Sequence, residues 1–139
     1  MPLGRVLGEY VLKATSSKIE ELDGGQVRVE VNYAGEGTGE VPGHHIGTLS
    51  FIAEGGDPNL PGEWKYIGVL LTTSGSLVKV SGSGVRIRTG EGHKARYRGT
   101  VRYSTTDPKL SEFNKIIAAV EAEADPVTMT LKGANCEWK

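Results

Sequence analysis

Apolar and polar residues alternate with a period of two along most of this chain. That spacing puts one face of a β-strand in a core and the other in water. The clearest run starts at Gln26, where Val27, Val29, Val31 and Tyr33 share one face and Gln26, Arg28, Glu30 and Asn32 the other. The phase carries on through Gly35, Gly37, Gly39 and Val41, opposite Glu36, Thr38 and Glu40. Glycine in the small-side-chain phase suits a sharply bent strand or a close backbone approach. Similar runs cover residues 6–15, 44–53, 63–73, 77–89, 93–105 and 127–138. In the second, Leu49 and Phe51 oppose Ile46 and Ile52. In the third, Trp64, Tyr66, Gly68 and Leu70 oppose Lys65, Ile67, Val69 and Leu71, so cover is expected on both faces. The run at 93–105 sets Ala95, Tyr97, Gly99, Val101 and Tyr103 against Lys94, Arg96, Arg98, Thr100 and Arg102, and the run at 77–89 alternates less cleanly.

The connectors carry turn chemistry. Asp23-Gly24-Gly25, Val41-Pro42-Gly43, Ser74-Gly75 and Gly90-Glu91-Gly92 read as tight turns, and residues 55–62 as a longer loop. Short turns between successive strands imply antiparallel neighbours. One segment is ambiguous. Asp107 and Pro108 make a good helix start, and Leu110, Phe113, Ile117 and Val120 recur at helical spacing. Ala118, Val120, Ala122 and Ala124 also alternate with Ala119, Glu121 and Glu123. A short helix over 108–114 followed by a strand to residue 124 brings the strands to eight, the number at which a barrel closes around packed side chains or one small ligand. The expected fold is all-β: an eight-stranded, mostly antiparallel up-and-down barrel with one short helix, in a single domain over residues 1–139. A helix running on to residue 124 is the alternative.

Length and composition sharpen this picture. With 139 residues the chain suits one core. Its 20 glycines fall largely in phase with the alternation or in turns. The single cysteine, Cys136, excludes an intrachain disulfide framework and a cysteine-based zinc site, and reads as a buried structural thiol. No apolar run reaches the ~18 residues of a membrane span. The start, Met1-Pro2-Leu3-Gly4-Arg5, lacks a signal-peptide layout, so a cytoplasmic protein without membrane contact is expected.

Several motifs together resemble a known group. They are Tyr33-Ala34-Gly35-Glu36-Gly37-Thr38-Gly39, Val80-Ser81-Gly82-Ser83-Gly84, the stretch Gly90 to Gly99 (GEGHKARYRG), Pro108-Lys109-Leu110, Asn114, and the ending Glu137-Trp138-Lys139. In order and spacing they resemble small, uncharacterised bacterial proteins with a lipocalin-like (calycin or allene-oxide-cyclase-like) β-barrel. The resemblance spans most of residues 26–139. It implies a barrel and no reaction, and no catalytic residue is carried over from it. Such proteins tend to place aromatics before the final hairpin, where this chain has Ala118, Ala119, Ala122 and Ala124. Inward alanines there, with the glycines that share the inward phase, leave volume for an open lumen; on the helical alternative the alanines only prolong the helix.

Charge is uneven. Residues 1–64 carry 4 basic and 10 acidic side chains, and residues 65–115 carry 10 and 3. The stripe Lys94, Arg96, Arg98 and Arg102 lies on one strand face, with Tyr97 and Tyr103 on the other. A single-stranded nucleic-acid site needs stacking aromatics beside the basic stripe, so no nucleic-acid partner is expected. Cross-strand pairing with an acidic strand around Glu30, Glu36 and Glu40 is the plainer account. In another version Arg96 or Arg98 projects inward and holds a carboxylate through its planar fork. His44 and His45 point to opposite faces of a regular strand and cannot chelate one ion side by side, so no metal is expected. One of them can face the lumen as an acid or base, with Glu36 or Glu40 as partner. Trp64, Tyr66 and Trp138 read as core or wall aromatics, or as a cage for a flat apolar ligand. No phosphate loop and no Gly-x-Ser-x-Gly elbow occurs, and no cofactor is called for.

The candidate ligand-binding set is therefore Tyr33, Glu36, His44, His45, Trp64, Tyr66, Arg96 and Arg98, with catalytic residues unassigned. Three functions fit such a barrel. The first is a non-catalytic binder of a small apolar or carboxylate-bearing molecule. The second is an isomerase- or cyclase-type enzyme acting on a hydrophobic substrate in the lumen. The third is a structural, oligomerising barrel with a filled core. A pocket with at least two converging titratable groups favours the enzyme, and a wholly apolar one the binder. The two apolar faces at residues 64–71 suggest a homo-oligomer.

Overall fold

The computed structural model describes residues 3–53, 62–89 and 94–138. Eight strands follow one another: β1 (Leu3–Glu21), β2 (Val27–Gly39), β3 (Gly43–Ala53), β4 (Gly62–Thr72), β5 (Leu77–Arg88), β6 (Ala95–Thr105), β7 (Ile117–Asp125) and β8 (Thr130–Trp138). Each pairs antiparallel with the next, and β8 pairs with β1, so the sheet closes into a barrel. The expected fold is thus the observed one, helix and strand order included.

The ambiguous segment divides at Ile116. Residues Pro108–Lys115 form a 3-10 helix, capped by the Asp107 side chain accepting from the Lys109 backbone N–H, with Pro108 in the first turn. The Ser76 hydroxyl donates to the other Asp107 oxygen, which ties the helix start to the β4–β5 turn. Ile117–Asp125 is a strand because its alanines and Val120 fill the inner wall: Ala118, Val120, Ala122 and Ala124 are buried while Ile117, Glu121 and Glu123 are exposed. Helix propensity loses to a pairing slot between β6 and β8 that only an extended segment can fill. Phe113 is buried at the end of the barrel beneath the helix, edge-on to Tyr103 at 5.9 Å between ring centroids.

Other bounds differ from the alternation. Strand β1 runs on to Glu21, past a register shift between Ala14 and Ser16. Residues Ser16 to Glu21 are all exposed and carry no alternation, yet their backbone still pairs with the start of β2. Strand β2 ends at Gly39, whose φ of 121° turns the chain before Val41. Strand β8 begins at Thr130, because Asp125 Oδ1 accepts from the backbone N–H groups of Val127 and Thr128 and holds a turn there. Most of the loop expected at 55–62 and the whole Gly90-Glu91-Gly92 turn lie outside the described residues, as does His93. The outer face of β4 is not covered: Ile67 is 57% and Leu71 42% exposed, beside Ile46 and Leu77. Trp138 is 41% exposed at the end of β8 and belongs to neither core nor lumen, and Cys136 is half-buried with a free thiol. No helix among the described residues is long and apolar enough to cross a membrane.

Inward glycines were expected to leave the lumen open. Instead, neighbouring rings occupy the room they provide. A methyl group on Gly47 would collide with the Tyr66 ring and hydroxyl, and one on Gly37 would lie 2.5 Å from His45 Nε2. Glycine is required at both places by close approach of an aromatic side chain, not by an unusual backbone angle.

Candidate functional site

The inner wall is largely apolar, and its polar exceptions gather midway along the barrel. Tyr10 from β1, His45 from β3, Tyr66 from β4, Tyr103 from β6 and Asn135 from β8 all lie in the inward phase of their strands. A cavity of about 50 Å³ lies between Tyr10, His45, Tyr66 and Asn135 and apolar walls that include Trp64 and Tyr97. A smaller one of about 30 Å³ lies toward the 3-10 helix, bounded by Tyr103 and Phe113; Tyr10, His45 and Asn135 line both.

Hydrogen bonding within this layer is incomplete. Asn135 Nδ2 donates to the Tyr103 hydroxyl at 2.9 Å, but Asn135 Oδ1 is buried with no hydrogen-bond partner among the described residues. The Tyr10 ring lies against the His45 ring, 5.9 Å between centroids and tilted by 41°. The hydroxyls of Tyr10 and Tyr66 and the imidazole of His45 make no hydrogen bond to any described residue. A buried polar atom left unpaired costs about 1–3 kcal/mol, a cost that falls here on the Asn135 oxygen.

Burial sets the protonation of these groups. It pushes Tyr66 up to about 12, and it raises Tyr10, to which Tyr66 and Tyr103 add. It raises Tyr103 as well, against the Asn135 hydrogen bond. Burial lowers His45 below the ordinary histidine value; His44 adds to this and Glu36 opposes it. Near neutral pH the layer therefore presents protonated phenols, an uncharged imidazole and a free amide oxygen. It offers donors and acceptors without net charge, facing apolar walls, which suits a hydroxyl or carbonyl group on a mostly apolar molecule.

The candidate residues divide by face. Tyr33, His45, Trp64 and Tyr66 point inward. Trp64 and Tyr97 meet edge to face at 6.1 Å, and the Trp64 indole N–H donates to the carbonyls of Val85 and Arg98 at 3.0 and 3.2 Å. Tyr33 is buried in the wall, is raised to about 12 by burial and by Tyr97, and lines neither cavity. The other four point outward. Glu36 follows Gly35 and precedes Gly37, both in the inward phase, so its carboxylate lies outside, 2.7 Å from His44 Nδ1. Glu40 pairs with Arg5 at 3.5 Å, so neither glutamate reaches His45. Arg96 and Arg98 are exposed and face the acidic outer side of β7: Arg96 is opposite Glu123, and Arg98 meets Glu121 at 3.1 Å. Of the basic stripe, Arg98 makes a cross-strand ion pair, with β7 rather than with the acidic β2, because β2 is not a neighbour of β6.

Tyr10, Tyr103, Asn135 and Arg86 were not singled out in the sequence. The available signal was phase. Asn135 continues Leu131 and Gly133, and Arg86 continues Val78, Val80, Gly82 and Gly84, each a polar residue on the inward side of a strand.

No family model and no curated protein matches the chain. Solved structures do. A protein of unknown function from Clostridium acetobutylicum has a TM-score of 0.80 at 14% identity, with all of both chains covered. A β-barrel-like protein from Acinetobacter baumannii has a TM-score of 0.78 at 17% identity, covering 99% of this chain and 96% of that one. A protein from Penicillium herquei, described as an enzyme, has a TM-score of 0.68 at 15% identity, with the same coverage. Identities this low show a shared fold, a small closed β-barrel.

Proposed function

We propose that this barrel binds a small, mostly apolar molecule in its lumen, in the manner of a lipocalin-like carrier or sensor. The supporting observation is the buried, unpartnered Asn135 oxygen beside the unbonded Tyr10, Tyr66 and His45 groups around a cavity. At about 50 Å³ the cavity has room for roughly one or two waters. The ligand is thus a molecule of few atoms, or the inner tip of a longer one. Native mass spectrometry of protein purified from its host should show the chain with an added small mass, and it also reads the oligomeric state. The variant Asn135→Leu removes the free acceptor. It also gives up the Asn135–Tyr103 bond, so it is expected to lose the added mass while keeping the stability of the unliganded parent to within about 1 kcal/mol, measured by urea denaturation. Bare chain alone from the host, or an Asn135→Leu protein that keeps the ligand, overturns the reading.

A second reading is an isomerase- or cyclase-type enzyme. It is favoured by His45, held uncharged beside the protonated Tyr10, an arrangement that supplies a base and an acid for moving a proton on a bound substrate. The Penicillium herquei neighbour, described as an enzyme, lends it the weight of a shared fold only. Incubating the loaded protein in deuterium oxide separates the two. An enzyme of this type exchanges a carbon-bound hydrogen of the ligand and loses that exchange in His45→Gln, whereas a carrier exchanges none.

A further inference from the structure

We infer that Arg86 anchors the carboxylate of a molecule whose apolar tail enters the lumen. The inference rests on the lumen-binding reading above and names the ligand class.

Arg86 lies in the inward phase of β5, near the strand's end and opposite Tyr97 in the register. Its guanidinium carbon sits 4.2 Å from the centroid of the Phe51 ring, and its Nε donates to the Tyr97 hydroxyl at 3.1 Å. Stacking and this bond fix the plane of the guanidinium. Both terminal nitrogens are left without a partner among the described residues. Arg5, Arg28 and Arg98, in contrast, each pair with a glutamate. Arg88, the next residue in the inward phase, is exposed and likewise has no acidic partner among the described residues. The described inner wall at this end presents Phe51, Trp64, Ala95, Ala124 and Leu131, and no carboxylate.

This arrangement fits a planar anion. With Nε committed to Tyr97, the two terminal nitrogens form an end-on fork that matches the two oxygens of a carboxylate. The Tyr97 hydroxyl accepts from Arg86, so its own proton is free to donate to the same anion. Tyr97 also lines the lumen cavity. A carboxylate held at Arg86 therefore sends its tail past the Tyr97 and Trp64 rings toward the Tyr10–His45–Asn135 layer. The carboxylate site considered at Arg96 or Arg98 is placed instead on the arginine that does face inward.

The test uses the full chain, isotopically labelled, titrated with hexanoate and separately with 1-hexanol. NMR follows the lumen residues and the Arg86 Nε–H signal. Hexanoate should bind about tenfold more tightly than hexanol or better, the effect of one charge-assisted hydrogen-bonded contact, and should shift the Arg86 signal. Arg86→Met should abolish that preference and leave hexanol affinity unchanged, whereas Arg102→Met, on the outer face, should keep it. If Arg86→Met does not fold by circular dichroism, Arg86→Lys retains the charge without the planar fork and should lose most of the preference. Equal binding of the two ligands to the parent, or a preference that survives at residue 86, overturns the inference while lumen binding stands. If neither ligand binds, the lumen reading fails and takes the inference with it. Tighter binding of the monophosphate ester of hexanol than of hexanoate would assign the anchor to phosphate and also overturn it.

Discussion

Truncating Trp64 to alanine is expected to destabilise the protein by about 3–5 kcal/mol, the usual cost of deleting a large aromatic from a packed core. The indole is 4% exposed, closes the cavity on the side facing Arg86, and packs edge-on against Tyr97. Its N–H also bridges the carbonyls of Val85 and Arg98, one from β5 and one from β6. Trp64→Phe keeps most of the packing and gives up that bridge, so it should cost about 1–2 kcal/mol, the bridge contributing about 1. Urea denaturation reads both. The alanine variant should also show what the cavity is for. Emptying the indole volume next to the existing 50 Å³ approaches the size of a dry cavity of ~150 Å³ that accepts benzene. Added indole should therefore raise the thermal midpoint of Trp64→Ala and leave that of the parent unchanged. A cost below about 1 kcal/mol, or no rescue by indole, means that the barrel collapses around the site and that the lumen has no defined shape.

That shape was only partly legible in the sequence. Period two is a property of the backbone, so every strand could be read from it wherever one face was buried, including the alanine-rich β7, where propensity argued for helix. It fails where the chain pairs without burying anything, as in the last third of β1 from Ser16 to Glu21. The phase of each strand was also readable, but which phase faces inward was clear only where apolar side chains filled it. On β3 the two histidines break the contrast, and on β5 the serine–glycine run erases it. Glu36 and His44 consequently read as lumen candidates although they belong to the outer surface, and nothing in the β5 pattern sets Arg86 above Arg96 and Arg98. The glycines misled for a different reason. A missing side chain predicts space, but its use depends on what lies across the sheet. Here Tyr66 covers Gly47, and His45 covers Gly37. The rings that take up this volume also carry the polar groups of the site. One structural choice therefore both narrows the cavity and furnishes it.

The same rings fix how stability should depend on pH. Tyr33 and Tyr66 are held at about 12 against an ordinary value of 10, and Tyr10, Tyr97 and Tyr103 are raised as well, in each case mainly by burial. Between pH 10 and 12 the unfolded chain loses these protons while the native barrel keeps them. Stability is thus fully present below pH 10 and falls as pH rises, by about 1.4 kcal/mol per pH unit for each such group. Tyr33 and Tyr66 alone should remove roughly 4–5 kcal/mol by pH 12, a large part of the 5–15 kcal/mol typical of a domain. Tyrosinate absorbance and the loss of β-sheet circular dichroism should therefore appear together, well above pH 10. The pair Tyr33→Phe and Tyr66→Phe should make the alkaline limb shallower by that amount, leaving the share of the other three tyrosines. On the acid side the relevant group is His45, whose value lies below 6.5. As pH falls below 6.5 the unfolded chain takes up a proton that the native imidazole refuses, so stability declines there too, and His45→Gln should remove that decline. Tyrosines that titrate near pH 10 with the barrel intact would show that solvent reaches the inner rings freely. The polar layer would then be a wet channel, and its unpaired groups would carry no information about a ligand.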